Sequence, residues 1–234
     1  MTSGISRTMF LALLVCFIIG FVYIRIRNHL NKREFTAEEY QEYDEAKMLA
    51  LEKILGKMDD TLDHALIPFI AGGTVDMYYF SRSYIPGTVV VTMELIGPDG
   101  KGPKAGRLGT YELVMCTRKP HNDENEDFRK IAGQFNIILT TLANYSFQTV
   151  INPNETAELP AENPSDTNYI VFDEFDAQGI AFEIMGKKHG LLLVIEVYKS
   201  ELDYARTNGT AELIKKLRTA GVYPYSDLNR EPVL

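Results

Sequence analysis

The chain has 234 residues, of which 45% are hydrophobic, with two cysteines and no tryptophan. This content supports a buried core and excludes a disordered chain or a disulfide-framed one. The formal charge of −8 is unevenly placed: residues 1–33 hold five Lys/Arg and no Asp/Glu, leaving 19 basic against 32 acidic residues in the other 201, a body charge of −13 that argues against nucleic-acid binding, which normally requires a basic face.

An unbroken apolar run over residues 9–24 is followed at once by Arg25, Arg27, Lys32 and Arg33. A bilayer-spanning helix needs about 20 residues, and Thr8 with Tyr23-Ile24-Arg25-Ile26 supplies the difference, because tyrosine suits the interface and a terminal arginine snorkels. The run therefore reads as a single membrane anchor. A cleaved signal peptide is the main rival, but the run ends Phe21-Val22-Tyr23-Ile24 with no small-x-small cleavage site; a buried soluble helix is the third reading. Only Arg7 and the amino terminus precede the span, so the basic flank places the N-terminus outside and the body in the cytoplasm.

Residues 34–73 form a helical docking segment. Thr36-Ala37-Glu38-Glu39 is a capping box, Phe35 and Tyr40 form a hydrophobic staple, and Gly56 stops the helix after Leu55. Tyr40, Tyr43, Ala46, Ala50 and Ile54 recur at helical spacing, a face suited to docking on the body; the two heptads present are too few for a coiled coil.

From residue 74 the pattern becomes strand-like. Residues 75–81, 88–96 and 109–117 are rich in Val, Ile, Tyr and Phe and are separated by Pro86-Gly87 and by the turn-rich run 97–103, which predicts an antiparallel meander. A helix over 127–147 follows, with Phe128, Ile131, Phe135, Ile138, Leu139 and Leu142 on one face and acidic residues at its positive end. Residues 151–167 read as a loop. Strands are predicted over 168–172, 179–185 and 190–198, the last apolar enough for the sheet centre, and helices over 200–208 and 211–218 close the chain. The fold class is α+β, a mixed and largely antiparallel sheet packed by helices.

Gly109-Thr110-Tyr111-Glu112-Leu113-Val114-Met115, then Leu142-Ala143-Asn144-Tyr145-Ser146-Phe147-Gln148, then Gly190-Leu191-Leu192-Leu193-Val194 with Ser200-Glu201-Leu202-Asp203-Tyr204-Ala205, in this order and spacing, resemble the Suppressor of fused domain over residues 74–234. Members commonly carry a tryptophan before the central helix, which this chain lacks. The resemblance implies a non-enzymatic protein-binding fold. Animal members clamp a transcription-factor peptide between this domain and a second one, a function not carried over here; single-domain bacterial relatives stand beside secreted toxins, which implies an immunity protein that neutralises a toxin by binding it. The same resemblance implies partner contact at Tyr145, and at an acidic residue some dozen positions on, for which Glu155 is the nearest candidate.

Read from the residues alone, Tyr145 is a half-buried tyrosine at a helix end and Glu112 an acid on the outer sheet face by simple alternation. Buried, Glu112 would require a partner. Asp173, Glu174 and Asp176 form an acidic surface cluster that reads as a strand leading into a turn. His29, His64, His121 and His189 lack metal-ligand spacing, the glycines of 97–109 match no phosphate loop, and neither metal nor cofactor is expected. Lys101, Lys104 and Arg107 in that loop read as a flexible basic hairpin tip, or as a contact for anionic lipid or an acidic partner. The function expected is a membrane-tethered binding module with an unidentified protein partner; the alternative is a membrane-anchored enzyme or small-ligand sensor.

Overall fold

The computed structural model describes residues 35–234 apart from Thr61, Glu162, Pro164 and Ser165. The expected anchor over 9–24, its basic flank and Cys16 lie outside these residues; among the described residues no helix is long and apolar enough to cross a membrane.

The first helix, α1 (Ala37–Leu55), carries Glu38 and Glu39 in its first turn, where the positive helix end favours acid. Gly56 closes it at φ 86°, a left-handed conformation glycine adopts without steric cost, and donates its N–H to Glu52 O at 2.9 Å. The expected face docks on the body except for Tyr40: Tyr43 and Ile54 are buried and Ala46 and Ala50 pack against the core. Tyr43, Lys47, Leu51, Ile54 and Leu55 are buried, whereas Tyr40 is 44% exposed. The buried face also extends to Lys47, Leu51 and Leu55, which the apolar spacing did not include because a lysine stands at its centre.

The strands are β1 (Leu62–Asp63), β2 (Met77–Phe80), β3 (Thr88–Val91), β4 (Tyr111–Thr117), β5 (Thr156–Leu159), β6 (Asn168–Glu174), β7 (Glu183–Ile184), β8 (Lys187–Lys188) and β9 (Gly190–Val197). Seven make one sheet in the order β1-β2-β3-β4-β9-β6-β5, while β7 and β8 form a separate hairpin. β2 to β4 are the expected antiparallel meander, with Val89 opposite Cys116 and Tyr79 opposite Val90, and β1, from the segment read as helical, adds an unexpected strand at its edge. β9 lies parallel to β4, Leu113 beside Leu192, and antiparallel to β6. With a strand on either side and helices on both faces, every residue of β9 is buried.

Alternation along the strands makes two cores. Val90, Leu113, Met115, Leu192 and Val194 face α2 (Glu126–Ser146), which contributes Phe128, Phe135, Ile138, Leu139 and Leu142. Asn125 caps that helix, its side chain accepting from Asp127 N at 2.8 Å and Phe128 N at 3.2 Å. Val89, Val91, Val114, Cys116, Leu191, Leu193 and Ile195 form the other core with α1, α3 (Lys199–Asn208) and α4 (Thr210–Thr219). The result is an α+β domain with a mixed sheet between two helical layers. The chain leaves β4 for α2 on one face and leaves the neighbouring parallel β9 for α3 on the other, which opens a crevice at the carboxyl ends of these two strands.

Besides β1, two further segments depart from expectation. Residues 179–185 supply only the two-residue β7, because Gln178 and Met185 adopt φ of 52° and 48° and turn the chain at both ends. Residues 151–167 contain an edge strand, β5, whose sequence Thr-Ala-Glu-Leu is too polar to stand out among the flanking prolines and acids.

Candidate protein-interaction surface

Tyr145 lies in the last turn of α2 and is 51% exposed, with Phe147 and Val150 each 40% exposed just beyond it. Ile137, two turns earlier, is 60% exposed. Phe69, in the segment before β2, packs its ring 6.0 Å from that of Phe147. The same segment is fastened along the helix by Val75 N to Thr140 Oγ1 (3.1 Å) and Asn136 Nδ2 to Val75 O (3.1 Å). Apolar side chains are thus held outward at one end of α2 by a hydrogen-bonded frame.

The chain after α2 is equally fixed. Tyr145 O accepts from Gln148 N and Thr149 N, both at 2.9 Å. Lys104 donates from Nζ to Gln148 O, its own N–H reaches Ser146 O at 2.8 Å, and Arg107 donates to Pro153 O and, from its backbone, to Asn152 Oδ1 at 2.9 Å. Lys101 pairs with Asp99. The basic run 101–107 is therefore no free hairpin tip: Lys104 and Arg107 staple the loop beside Tyr145. A Cβ at Gly106 would lie 2.4 Å from Asn152 Oδ1 and 2.9 Å from Val150 Cγ1, so the two segments meet there with no room for a side chain.

Glu155 is exposed at the far end of the same loop, immediately before β5. Its carboxylate accepts from Asn152 N and Asn152 Nδ2, both at 2.9 Å. Its carbonyl accepts from Phe172 N at 3.0 Å, which begins the β5–β6 pairing. Tyr145 and Glu155 thus border one rigid loop, the first presenting a ring to solvent, the second shaping the loop that leads into a sheet edge.

Glu112 is a correction to the sequence reading: it is fully buried and faces α1. Its carboxylate accepts from Thr92 Oγ1 (2.7 Å), Ile96 N (3.0 Å), Leu95 N (3.3 Å) and Lys47 Nζ (3.3 Å). Burial raises the Glu112 carboxyl above the usual carboxylate range, and Lys47 with the three other donors opposes it. Lys47 also donates to Ile96 O at 2.6 Å and to Met93 O. Sequence reasoning missed this lysine, although a cation at the centre of an otherwise apolar helix face was the available signal.

Asp173, Glu174 and Asp176 do not converge. Asp173 accepts from Tyr223 OH at 3.0 Å and Arg218 Nη2 at 3.3 Å, Asp176 Oδ1 accepts from Gln178 N at 2.9 Å, and Glu174 is exposed. His64 pairs with Asp76 at 2.7 Å; His121 bridges Asp59 (3.1 Å) and Asp123 (2.9 Å) and stacks on Tyr79 at 4.3 Å. His189 is buried, its Nδ1 2.8 Å from Thr110 Oγ1, and desolvation followed by the charges of Lys187 and Lys47 pushes it down to about 4. Among the described residues no group of three or more His, Cys, Asp or Glu could hold a metal ion.

Residues 91–231 match the family model described as Suppressor of fused protein. The chain belongs to the Suppressor of fused family. The crystal structure of the Sufu–Fu complex is similar in fold, with a TM-score of 0.56 at 14% identity over 82% of this chain and 92% of that one. No curated protein matches the sequence. The family match starts after α1, so the Lys47–Glu112 pair joins the matched Suppressor of fused region to a helix that precedes it.

Proposed function

We propose that this Suppressor of fused domain is a protein-binding module tethered to a membrane by residues 9–24, with its body in the cytoplasm, and that it acts as an immunity protein neutralising a basic toxin. The observation that carries the binding reading is the preorganised apolar platform of Tyr145, Phe147 and Val150 at the start of the loop that leads into the edge strand β5. Tyrosine and phenylalanine held outward on a fixed frame lose little entropy on binding, and an edge strand offers backbone donors and acceptors to an added peptide. The related fold of the Sufu–Fu complex holds a protein partner, which favours this reading over an enzyme. The body charge of −13 suits a basic partner, and the charges flanking the apolar run support the N-out, C-in orientation.

A photo-crosslinking residue at position 145 of the full chain, in native membranes, tests the binding surface, with position 215 on the exposed face of α4 as control. A protein adduct formed from 145 and not from 215 is expected; adducts from 215 alone would refute the surface. A phosphatase fused to the C-terminus should be inactive outside the membrane, and activity there would reverse the topology.

A further inference from the structure

At the crevice left by β4 and β9, a cleft of about 490 Å³ opens between α2 and the segment 226–229, within the size range of small-molecule sites. It lies near the start of α2, whereas Tyr145 lies at that helix's end, so the two surfaces are separate. Its walls include Ile131, Phe135 and Leu228, and Glu196 of β9 lines its base.

The cleft is rigidly built. Ser226 N donates to Cys116 O at 2.9 Å, Ser226 Oγ accepts from Glu196 N at 3.0 Å, and Asp227 takes Arg118 N at 2.9 Å and Thr117 Oγ1 at 2.5 Å, so the far wall is sewn to the ends of β4 and β9. Glu196 is 6% exposed, and its side chain is oriented by Asn168 Nδ2 at 2.9 Å and Gln134 Nε2 at 3.4 Å, both on Oε1. Among the described residues Oε2 receives no hydrogen bond. One carboxylate oxygen is thus fixed and the other is open to the cleft as an acceptor for a donor that enters it.

The surrounding charges do not supply one. Arg118 turns away, stacking on Tyr225 at 4.4 Å and donating to Gly221 O; Lys130 pairs with Glu126 at 3.0 Å; Lys119 is exposed at the rim. Asp227 adds a second carboxylate to the lining. Desolvation raises the Glu196 carboxyl above its usual range, with Asn168 and Gln134 opposing, so a cationic ligand would be held more tightly as pH rises and the acid ionises.

We propose that this cleft binds an organic cation with an apolar stem, an alkylguanidinium or alkylammonium whose head sits on Glu196 Oε2 and whose stem lies against Ile131, Phe135 and Leu228. Such a group comes either free or as an arginine or lysine side chain of a bound protein. Butylguanidinium is the probe, with butylurea as its uncharged analogue, read by NMR on the side-chain amides of Gln134 and Asn168 in the full chain. The cation should shift both amides at millimolar concentration and butylurea should not, and Glu196→Gln should weaken binding at least tenfold. A blocked glycyl-arginyl-glycine peptide binding as tightly as butylguanidinium supports a protein-borne side chain; binding of the free cation alone supports a small amine. Absence of amide shifts in the wild-type protein, equal shifts from butylurea, or a folded Glu196→Gln variant with unchanged affinity would each overturn the site. The wild-type titration decides the matter if the variant fails to fold, and the outcome leaves the Tyr145 surface untouched.

Discussion

Lys47 Nζ lies 3.3 Å from Glu112 Oε1, with both side chains at most 1% exposed, and this contact is the polar bolt between α1 and the centre of the sheet. A lysine and a glutamate that reach an apolar core are tolerable only because their bonding capacity is filled, Lys47 by two carbonyls and the carboxylate, Glu112 by Thr92 and two backbone amides as well. Neither charge alone has a reason to be there.

Removing one partner should therefore cost far more than removing both. Lys47→Met strands the Glu112 carboxylate and is expected to destabilise by about 3–5 kcal/mol, with Lys47→Met/Glu112→Gln costing less than the sum of the single changes. Chemical denaturation of the four proteins measures the coupling. Faster amide exchange along α1 in Lys47→Met would accompany it.

This bolt also shows how the sequence can be read and where reading stops. The long helices, the meander and the central Leu191-Leu192-Leu193-Val194-Ile195 strand were legible because burial imposes a period or an unbroken apolar run. Glu112 was misplaced because alternation assigns a face, not a depth: helices cover both faces here, so an inward-pointing position was available to a paired acid. β5 was hidden because an edge strand needs little apolar content. Of the candidate surface, the place of Tyr145 at a helix end was legible in the sequence, whereas the stapling by Lys104 and Arg107 depends on contacts more than 40 residues apart along the chain.

His189 should respond to acid. Its pKa is about 4 in the fold against about 6.5 unfolded, so between these values the unfolded chain binds more protons and stability is lost as pH falls. His189→Gln should flatten the loss over that window, and an NMR titration should find the wild-type imidazole neutral at pH 5. Equal slopes for the two proteins would contradict this.

Glu201 acts in a lower window. Burial alone would raise its carboxyl, but bonds from Arg230 at 2.7 and 2.8 Å, with Val233 N and Tyr198 N, outweigh burial and hold it below the usual range. Its folded pKa lies below the unfolded ~4.3, so the stabilisation is present above that value and lost as pH falls through the folded one. Glu201→Gln should lower stability at pH 7 and remove part of the acid dependence below about pH 4.3.

The loop beside Tyr145 should depend on close packing at Gly106. Gly106→Val pushes into Asn152 and Val150 and should cost about 1–3 kcal/mol while displacing the 147–153 loop. Thermal unfolding gives the first quantity and chemical shifts of residues 147–153 the second.

Partner affinity measured on the full chain in detergent, for wild type and Tyr145→Ala, bears most directly on the binding account; the protein captured by the position-145 crosslink serves as ligand. Tyr145 is half exposed, so the substitution should change folding stability by no more than about 0.5 kcal/mol. Affinity should nevertheless fall at least tenfold. Unchanged affinity in an equally stable variant would contradict the assignment of this surface.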